Sequence, residues 1–432
     1  MTVTVFIVSL LAAMAIGMPI AYALLVCGLT LMGFLSLTSG LVTFDSQILA
    51  QRFVDGADNF PLLAVPFFLL AGEFMNAGGL SRRIVNLAMA WVGHFRGGLG
   101  YVTVIAAVIM ASLSGSAVAD TAALAALLIP MMRAAGYNIG RASGLIASGG
   151  IIAPVIPPSI GMIIFGVAGN VSITKLFLAG IVPGILMGLA IGLTWWWLAK
   201  KENVPPGRRV GMPERLKITA EGGFALALPV VIIGGMKFGV FTPTEAAVVA
   251  AVYSFLVGMF IYRELKWRAM YALILAAGKT TAVVMFLVAA AMVSAWLITV
   301  ANIPTEVANM LSPFMDNKML LMLVMMLLIV IVGTALDFTP TVLILTPVLM
   351  PVVIKAGIDP VYFGVMFIMN NAIGLITPPV GTVLNVVCGV AKIGMNDAFK
   401  GVLPFLMAQL AVLFLLVLFP SIVLVPLQWW MR

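Results

Sequence analysis

Two short polar stretches lie in the middle of long apolar segments, and their residue types suit the binding of small ions. The first is residues 112–116 (SLSGS), and the second is residues 333–337 (GTALD). Hydroxyl, carboxylate and carbonyl oxygens are the ligands that hard cations prefer. A turn at membrane depth must face protein or a watery cavity, because lipid cannot satisfy its free backbone groups. Both stretches are therefore candidate sites for a cation and for an anionic group.

A pair of adjacent prolines follows each polar stretch. The pairs lie in residues 153–159 (APVIPPS) and 374–381 (GLITPPVG). Adjacent prolines remove two donors and disfavour helix upstream. We expect each segment to be unwound and to face the polar stretch of the same half of the chain, so that the two form one cation cage per half.

The two ends of a broken helix suit different ligands, a cation at one end and an anion at the other. Free carbonyls at a helix C-terminus suit Na⁺, whereas free N–H groups at an N-terminus suit a carboxylate. The candidate sodium ligands are Ser114, Ser116, Pro157, Gly333, Thr334, Asp337, Gly374 and Thr377. The candidate contacts to an acidic substrate are Ser112, Gly115, Asp120, Pro158, Pro378 and Pro379.

Several charged residues in apolar segments have two interpretations. Asp337 is the preferred charged ligand, and Asp120 is either a ligand or a helix N-terminal cap. Glu73 and Glu245 are structural or take part in coupling, because acids within membrane spans are functional candidates. Lys279 either has a role inside a span or extends its charge to the membrane interface.

The composition indicates a membrane protein. Hydrophobic residues make up 63% of the 432 residues and charged residues 9%, compared with about 25% charged residues in soluble domains. The net charge of +8 comes from Lys and Arg in short loops, which is the pattern of membrane orientation rather than of nucleic-acid binding. The single histidine, His94, and two cysteines offer no base for catalytic serines and no transition-metal site. We therefore predict no enzyme and no cofactor.

The apolar runs predict an all-α, multi-pass protein with a single transmembrane domain over residues 1–432. A span needs about 20 apolar residues. Placing the N-terminus in the cytoplasm puts most Lys and Arg residues on the cytoplasmic side. The predicted spans are 3–38 (with a break at Gly17–Pro19), 60–77, 143–168, 175–199, 221–240, 245–262, 271–302, 361–388 and 401–428, with re-entrant hairpins at 99–132 and 319–354.

A weak internal repeat relates the two halves. A shift of 221 positions places Pro130 on Pro351 and Pro157-Pro158 on Pro378-Pro379. An odd number of predicted crossings between the hairpins makes the repeats inverted, as in many secondary transporters. The predicted parts are a first repeat (60–199), a cytoplasmic loop (200–220), scaffold helices (221–262) and a second repeat (271–428).

Three stretches carry a resemblance to a known family. They are residues 59–79 (NFPLLAVPFFLLAGEFMNAGG), 114–123 (SGSAVADTAA) and 336–351 (LDFTPTVLILTPVLMP). They resemble the large membrane subunit of tripartite ATP-independent periplasmic (TRAP) transporters, and the similarity runs essentially from end to end.

The resemblance implies a Na⁺-coupled importer of small organic acids, such as dicarboxylates, keto acids or sialic acid, in the bacterial inner membrane. It implies two partners, a separate small membrane subunit (Q) and a periplasmic substrate-binding protein (P). It also implies an elevator mechanism, in which both hairpins and both Pro-Pro segments move against a scaffold. The alternative is a stand-alone carboxylate symporter coupled to protons or sodium.

Overall fold

Helices are the main secondary structure in the part of the chain that is described by a computed structural model, which covers residues 2–38, 45–201, 204, 206–207 and 209–431. Within these ranges there is no named strand, and the one isolated bridge pairs Arg96 with Pro206. Ten of the described helices are long and apolar enough to cross a membrane. The predicted class, an all-α polytopic membrane protein, is confirmed.

Twenty α-helices are found in the described ranges. The first are α1 (Thr2–Ala15), α2 (Ile20–Thr38), α3 (Ser46–Ala57), α4 (Ala64–Ala77) and α5 (Leu80–Val92). They are followed by α6 (Gly98–Ser114), α7 (Ala117–Ala134), α8 (Ile139–Gly150), α9 (Ile160–Ala168) and α10 (Ile173–Lys201). The middle of the chain contains α11 (Met212–Lys237), α12 (Pro243–Leu256), α13 (Met270–Val300) and α14 (Ile303–Leu311). The last are α15 (Lys318–Ala335), α16 (Phe338–Lys355), α17 (Pro360–Gly374), α18 (Thr382–Ala391), α19 (Met395–Leu418) and α20 (Ser421–Met431).

The helix boundaries follow the internal repeat. A shift of 221 positions moves the bounds of α7 from 117 and 134 to 338 and 355, which are the bounds of α16. The same shift moves the bounds of α6 to 319 and 335, and α15 runs from Lys318 to Ala335. In the same way α8 matches α17, α9 matches α18, and α10 matches α19. Each half therefore contains five equivalent helices with breaks in equivalent places.

The predicted breaks in apolar runs are observed. The first run is divided between α1 and α2 at residues 16–19, and the run 143–168 is divided between α8 and α9.

The run 401–428, predicted as one span, is interrupted between Leu418 and Ser421 at Phe419-Pro420. Proline disfavours helix at the residue before it, which accounts for this last break.

Three α-helices, α3, α5 and α14, lie outside the predicted runs. They contain 12, 13 and 9 residues, which is shorter than the roughly 20 residues of a membrane span. Helix α5 buries Leu80, Ile84, Leu87 and Ala88 while Arg82 on the other face is exposed. This spacing of three and four residues was the available signal for an amphipathic helix.

The helices pack in two groups. In one group α4 packs on α12, α5 packs on α11, and α13 packs on α2 and α3. In the other group α7 and α8 pack on α18, α10 packs on α17, and α8 packs on α19. The groups meet where α13 contacts α16 and where α4 and α5 contact α6.

Helices α8 and α19, one from each half of the chain, are in close contact. A methyl group added to Gly144 would collide with the backbone of Gly401, and one added to Gly401 would collide with the carbonyl of Gly140. The guanidinium of Arg141 donates to the Gly401 carbonyl at 3.2 Å. The two repeats are therefore joined backbone to backbone, which requires small residues on both helices.

Candidate functional site

The first candidate site is the break between α6 and α7. Helix α6 ends at Ser114, Gly115 has a φ of +63°, and Ser116 is the N-cap of α7. The Ser116 hydroxyl accepts a hydrogen bond from the N–H of Ala119 at 3.3 Å. A left-handed residue between two helices suits glycine. The sequence SLSGS thus turns the chain with a glycine and restarts the helix with a serine cap.

A buried carboxylate lies beside this break. Asp120 is 2% exposed, and its Oδ1 accepts a hydrogen bond from the Ser114 hydroxyl at 2.5 Å. The Ser114 hydroxyl also accepts from the N–H of Ser116 at 3.1 Å. Among the described residues, Oδ2 of Asp120 has no hydrogen-bond partner. Because Ser116 caps α7, Asp120 lies inside the first turn, and its second oxygen is a buried acceptor next to the break.

The first break contacts the first Pro-Pro segment, as the sequence predicts. A methyl group added to Gly115 would collide with the Pro158 carbonyl and would lie 2.9 Å from Cα of Ser159. Residues 151–158 are non-helical turns and bends, and all of them are buried. The Ser159 hydroxyl donates to the Pro154 carbonyl at 2.6 Å and accepts from the N–H of Met162. The Pro158 carbonyl of the unwound segment is thus placed directly against the break.

The second break has the same relationship to the second Pro-Pro segment. A methyl group on Gly374 would lie 2.9 Å from the carbonyl oxygen of Gly333. The N–H of Val380 donates to the Thr334 carbonyl at 3.4 Å. Residues 375–380 are turns between α17 and α18, and both proline pairs contain a cis peptide bond, Pro157-Pro158 and Pro378-Pro379.

Asp337 differs from Asp120 in its surroundings. It occupies the N-cap position of α16 without a side-chain capping bond, and its side chain is exposed. Its Oδ1 accepts from the hydroxyl of Thr382 at 3.3 Å. The structure therefore places this carboxylate at an open surface between α16 and α18, whereas the carboxylate of the first half is enclosed.

Two predicted sodium ligands and one predicted substrate contact donate to their own helices. The sodium ligands are Thr334, which donates to the Ile331 carbonyl, and Thr377, which donates to the Ile373 carbonyl; the substrate contact Ser112 donates to the Ile109 carbonyl. A hydroxyl that donates in this way keeps its oxygen lone pairs as acceptors. Thr334 and Thr377 therefore remain suitable as cation ligands.

Two buried asparagines were missed by the sequence analysis. Asn371 donates to the Phe338 carbonyl at 2.8 Å, and Asn370 donates to the Met326 carbonyl at 2.6 Å. Both side chains are 0% exposed. Within the described ranges the side-chain oxygen of each has no hydrogen-bond partner. The signal was present as two adjacent amides inside the apolar run 360–374.

The remaining acids and Lys279 are in different positions. Glu245 forms a capping box with Thr242, so its structural interpretation is supported. Glu73 is half-buried on α4, next to Gly72, where an added methyl group would lie 3.6 Å from Cβ of Ser114. Lys279 is exposed on α13, in agreement with a charge that extends towards the membrane interface.

The two candidate sites are neighbours. A methyl group on Gly161, at the start of α9, would collide with the ring of Phe338, at the start of α16. Helix α9 follows the first Pro-Pro segment, and α16 follows the second break. The fold thus brings together two breaks, two unwound segments and a buried carboxylate, which can accept cations and offer helix N-termini to an anion.

Comparison with known proteins decides the family. The sequence matches the family described as "Tripartite ATP-independent periplasmic transporter, DctM component" over residues 7–422. The chain belongs to this TRAP transporter family. The predicted family resemblance is therefore confirmed over nearly the whole chain.

Full-length relatives support the family assignment. The "2,3-diketo-L-gulonate TRAP transporter large permease protein YiaN" of Escherichia coli is 58% identical over 99% of this chain and 100% of its own length. The sialic acid TRAP transporter large permease SiaM of Vibrio cholerae is 38% identical, and the match covers 94% of each chain. The C4-dicarboxylate TRAP transporter large permease DctM of Pseudomonas aeruginosa is 37% identical, with 91% of this chain and 92% of that protein covered. These relatives are named as transporter permeases, not as enzymes.

A solved transporter has a similar fold. The YdaH transporter of Alcanivorax borkumensis matches this TRAP permease with a TM-score of 0.66, over 92% of this chain and 98% of the other, at 16% identity. That identity is too low to compare sites. The match shows that the arrangement of helices occurs in another transporter.

Proposed function

We propose that this TRAP permease is the large membrane subunit of a Na⁺-coupled importer of small organic acids. The observation that carries the proposal is that each helix break lies against an unwound Pro-Pro segment, with the Pro158 carbonyl beside Gly115 and the Gly333 carbonyl beside Gly374, in a chain that matches TRAP permeases from end to end. Carbonyl-rich breaks are the usual Na⁺ ligands in transporters with broken helices.

The sodium ligands we propose lie at both breaks. In the first half they are Ser114, Ser116 and the backbone at Pro157. In the second half they are Gly333, Thr334, Gly374, Thr377 and Asp337. The contact between Gly333 and Gly374 supports a shared site in the second half. Asp337, being exposed, is the member most accessible to an entering ion.

We propose that the acid binds between the two breaks. The beginnings of α7, α9 and α16 supply helix N-terminal N–H groups and positive dipole ends, which favour a carboxylate. The proposed contacts are Ser112, Gly115, Asp120, Pro158, Pro378 and Pro379. Asp120 would accept hydrogen bonds from hydroxyl groups of the substrate and would not contact its carboxylate. A carboxyl oxygen that lacks a partner, as Oδ2 of Asp120 does among the described residues, suits that role.

The substrate class we propose is an oxidised sugar acid. The relative that is 58% identical is named for 2,3-diketo-L-gulonate, whereas relatives at 37–38% identity are named for sialic acid, C4-dicarboxylates and isethionate. All of these names describe organic acids, with a sulfonate in the case of isethionate and carboxylates in the others, and the higher identity favours the keto sugar acid.

The proposed mechanism is an elevator. The group that contains α6–α10 and α15–α19 carries both sites and is held together by the contact between α8 and α19. The group that contains α2–α5 and α11–α13 would be the scaffold. In this proposal α6–α7 and α15–α16 are re-entrant hairpins, the repeats are inverted, and the N-terminus is cytoplasmic in the bacterial inner membrane.

The partners we propose are a small membrane subunit and a periplasmic binding protein, as the tripartite family name indicates. Uptake of labelled diketogulonate, sialic acid and succinate into proteoliposomes tests the proposal, with each partner present or omitted and with Na⁺ or K⁺ outside. We expect uptake that requires both partners and inward Na⁺. Uptake by this chain alone, or equal uptake in K⁺, would replace the proposal with a stand-alone symporter.

A further inference from the structure

A long groove on the surface of the bundle lies apart from both candidate sites. It runs between α6 and α10 and has a volume of about 1030 Å³. Its α6 wall includes Tyr101, Val104 and Val108, and its α10 wall includes Leu189 and Leu193. The two leucines are 57% and 69% exposed, so the groove opens to the surroundings of the bundle.

The groove covers about half of the membrane thickness. Its α10 wall extends from Ile185 to Lys200, which at 1.5 Å per residue is roughly 22 Å. One leaflet with its headgroups is about 20–22 Å thick. Before this region, α10 is in contact with the first Pro-Pro segment, because methyl groups on Gly180 and Gly184 would collide with Val155 and Ile156. The groove therefore matches one leaflet rather than a whole span.

Two glycines shape the floor of the groove. A methyl group on Gly188 would lie 2.6 Å from Val108, so the helices are in close contact there. A methyl group on Gly192, one turn later, would have Val104 at 3.9 Å and open space otherwise. Farther along, the indole of buried Trp195 lies between α10 and α6 and donates to the Gly97 carbonyl at 2.8 Å. The groove is thus a preformed depression with room for a flexible chain.

Positive charge is concentrated at one end of the groove. Arg96 and Lys200 both line that end, and the Lys200 ammonium lies 5.9 Å from the ring centre of Trp196. Arg215 lies close by, with Nη2 3.4 Å from Nδ1 of His94. Basic residues at the end of an apolar groove between membrane helices suit a lipid phosphate.

We infer that this groove binds one anionic phospholipid, with its acyl chains between α6 and α10 and its phosphate at Arg96 and Lys200. A helix of a partner subunit fits less well, because it would cross the whole membrane with about 20 residues while the groove covers one leaflet. The inference does not depend on the proposed transport function, since it rests on a surface outside both candidate sites.

Native mass spectrometry of the purified full-length chain tests the inference, with phosphatidylglycerol and phosphatidylethanolamine as probes. We expect the wild type to retain one phosphatidylglycerol in preference to phosphatidylethanolamine. The double variant Arg96→Gln/Lys200→Gln should weaken this binding roughly 30-fold, which corresponds to about 1 kcal/mol for each basic residue near the headgroup. Gly192→Leu should weaken it as well, by filling the groove.

Matched controls separate the groove from general effects. Lys266→Gln/Arg268→Gln removes two exposed cations elsewhere, and Gly278→Leu fills open space on α13. Both should bind as the wild type does, and size-exclusion chromatography identifies any variant that does not fold. Equal retention of the two lipids, or unchanged binding in the double variant, would overturn the inference. Loss of the lipid when the small subunit is bound would also overturn it.

Discussion

The hydroxyl of Ser114 donates a hydrogen bond of 2.5 Å to Oδ1 of Asp120, across the break between α6 and α7. It is the one side-chain hydrogen bond found for this buried carboxylate among the described residues. The bond joins the last residue of one helix to the first turn of the next, and so it fixes the shape of the break.

We expect Ser114→Ala to weaken both stability and uptake. A buried acceptor that loses its partner costs about 1–3 kcal/mol, and more for a charged group. Asp120→Asn, which retains the volume but removes the charge, should lower uptake at least as much while costing less stability. Thermal unfolding in detergent and Na⁺-dependent uptake are the measurements.

Asn317→Ala is the control for that pair. It removes the N-cap of α15, which costs about 0.5–2 kcal/mol, but leaves the bond between Ser114 and Asp120 and all proposed ligands in place. If Ser114→Ala and Asn317→Ala had the same effect on uptake at equal stability, the bond would have no special role.

Gly115→Ala should abolish uptake because the new methyl group would collide with the Pro158 carbonyl. Gly136→Ala is a matched control, since Gly136 also has a positive φ of +76° but has open space around it. Both variants carry the backbone strain of a left-handed residue, about 1–2 kcal/mol. Comparing uptake and melting temperature between the two variants therefore separates the effect of the steric collision from that of the backbone strain. Equal losses of uptake would show that backbone strain alone is responsible.

Gly401→Ala should destabilise the protein by separating α19 from α8. The added methyl group would collide with the Gly140 carbonyl, and overpacking of this kind costs about 1–3 kcal/mol. Gly389→Ala, with open space around it on α18, should unfold at the wild-type temperature or slightly above. A melting temperature for Gly401→Ala that equals the control value would mean that the helices can separate without cost.

His94 should make stability depend on pH. It lies between α5 and α6, where burial first, and the charges of Arg215 and Arg209 next, lower its pKa below the ordinary value of 6.5. The unfolded chain therefore binds a proton at a higher pH than the folded chain does, so stability is lost as the pH falls below about 6.5. As His94 is the single histidine, NMR of a labelled sample gives its pKa directly. His94→Gln should remove this part of the pH dependence, and a pKa at or above 6.5 would contradict the assignment.

The sequence by itself determined the class of the fold and the places where helices break. Hydropathy, proline and glycine act through local rules: apolar runs form spans, proline removes a donor, and Gly115 permits a left-handed turn. The repeat followed from spacing alone, and the helix bounds of α7 and α16 agree with it to the residue. The family also followed from short motifs in sequence order.

The tertiary structure decided which of the candidate oxygens lie together. Gly115 and Pro158 are far apart in the chain, and their contact depends on how α6 and α7 pack beside α8. Asp120 is buried and Asp337 is exposed, although both follow a helix break. Asn370 and Asn371 acquired roles through bonds to Met326 and Phe338 on other helices. These contacts and exposures depend on how segments that are distant in the sequence pack against one another. Local sequence patterns do not determine that packing.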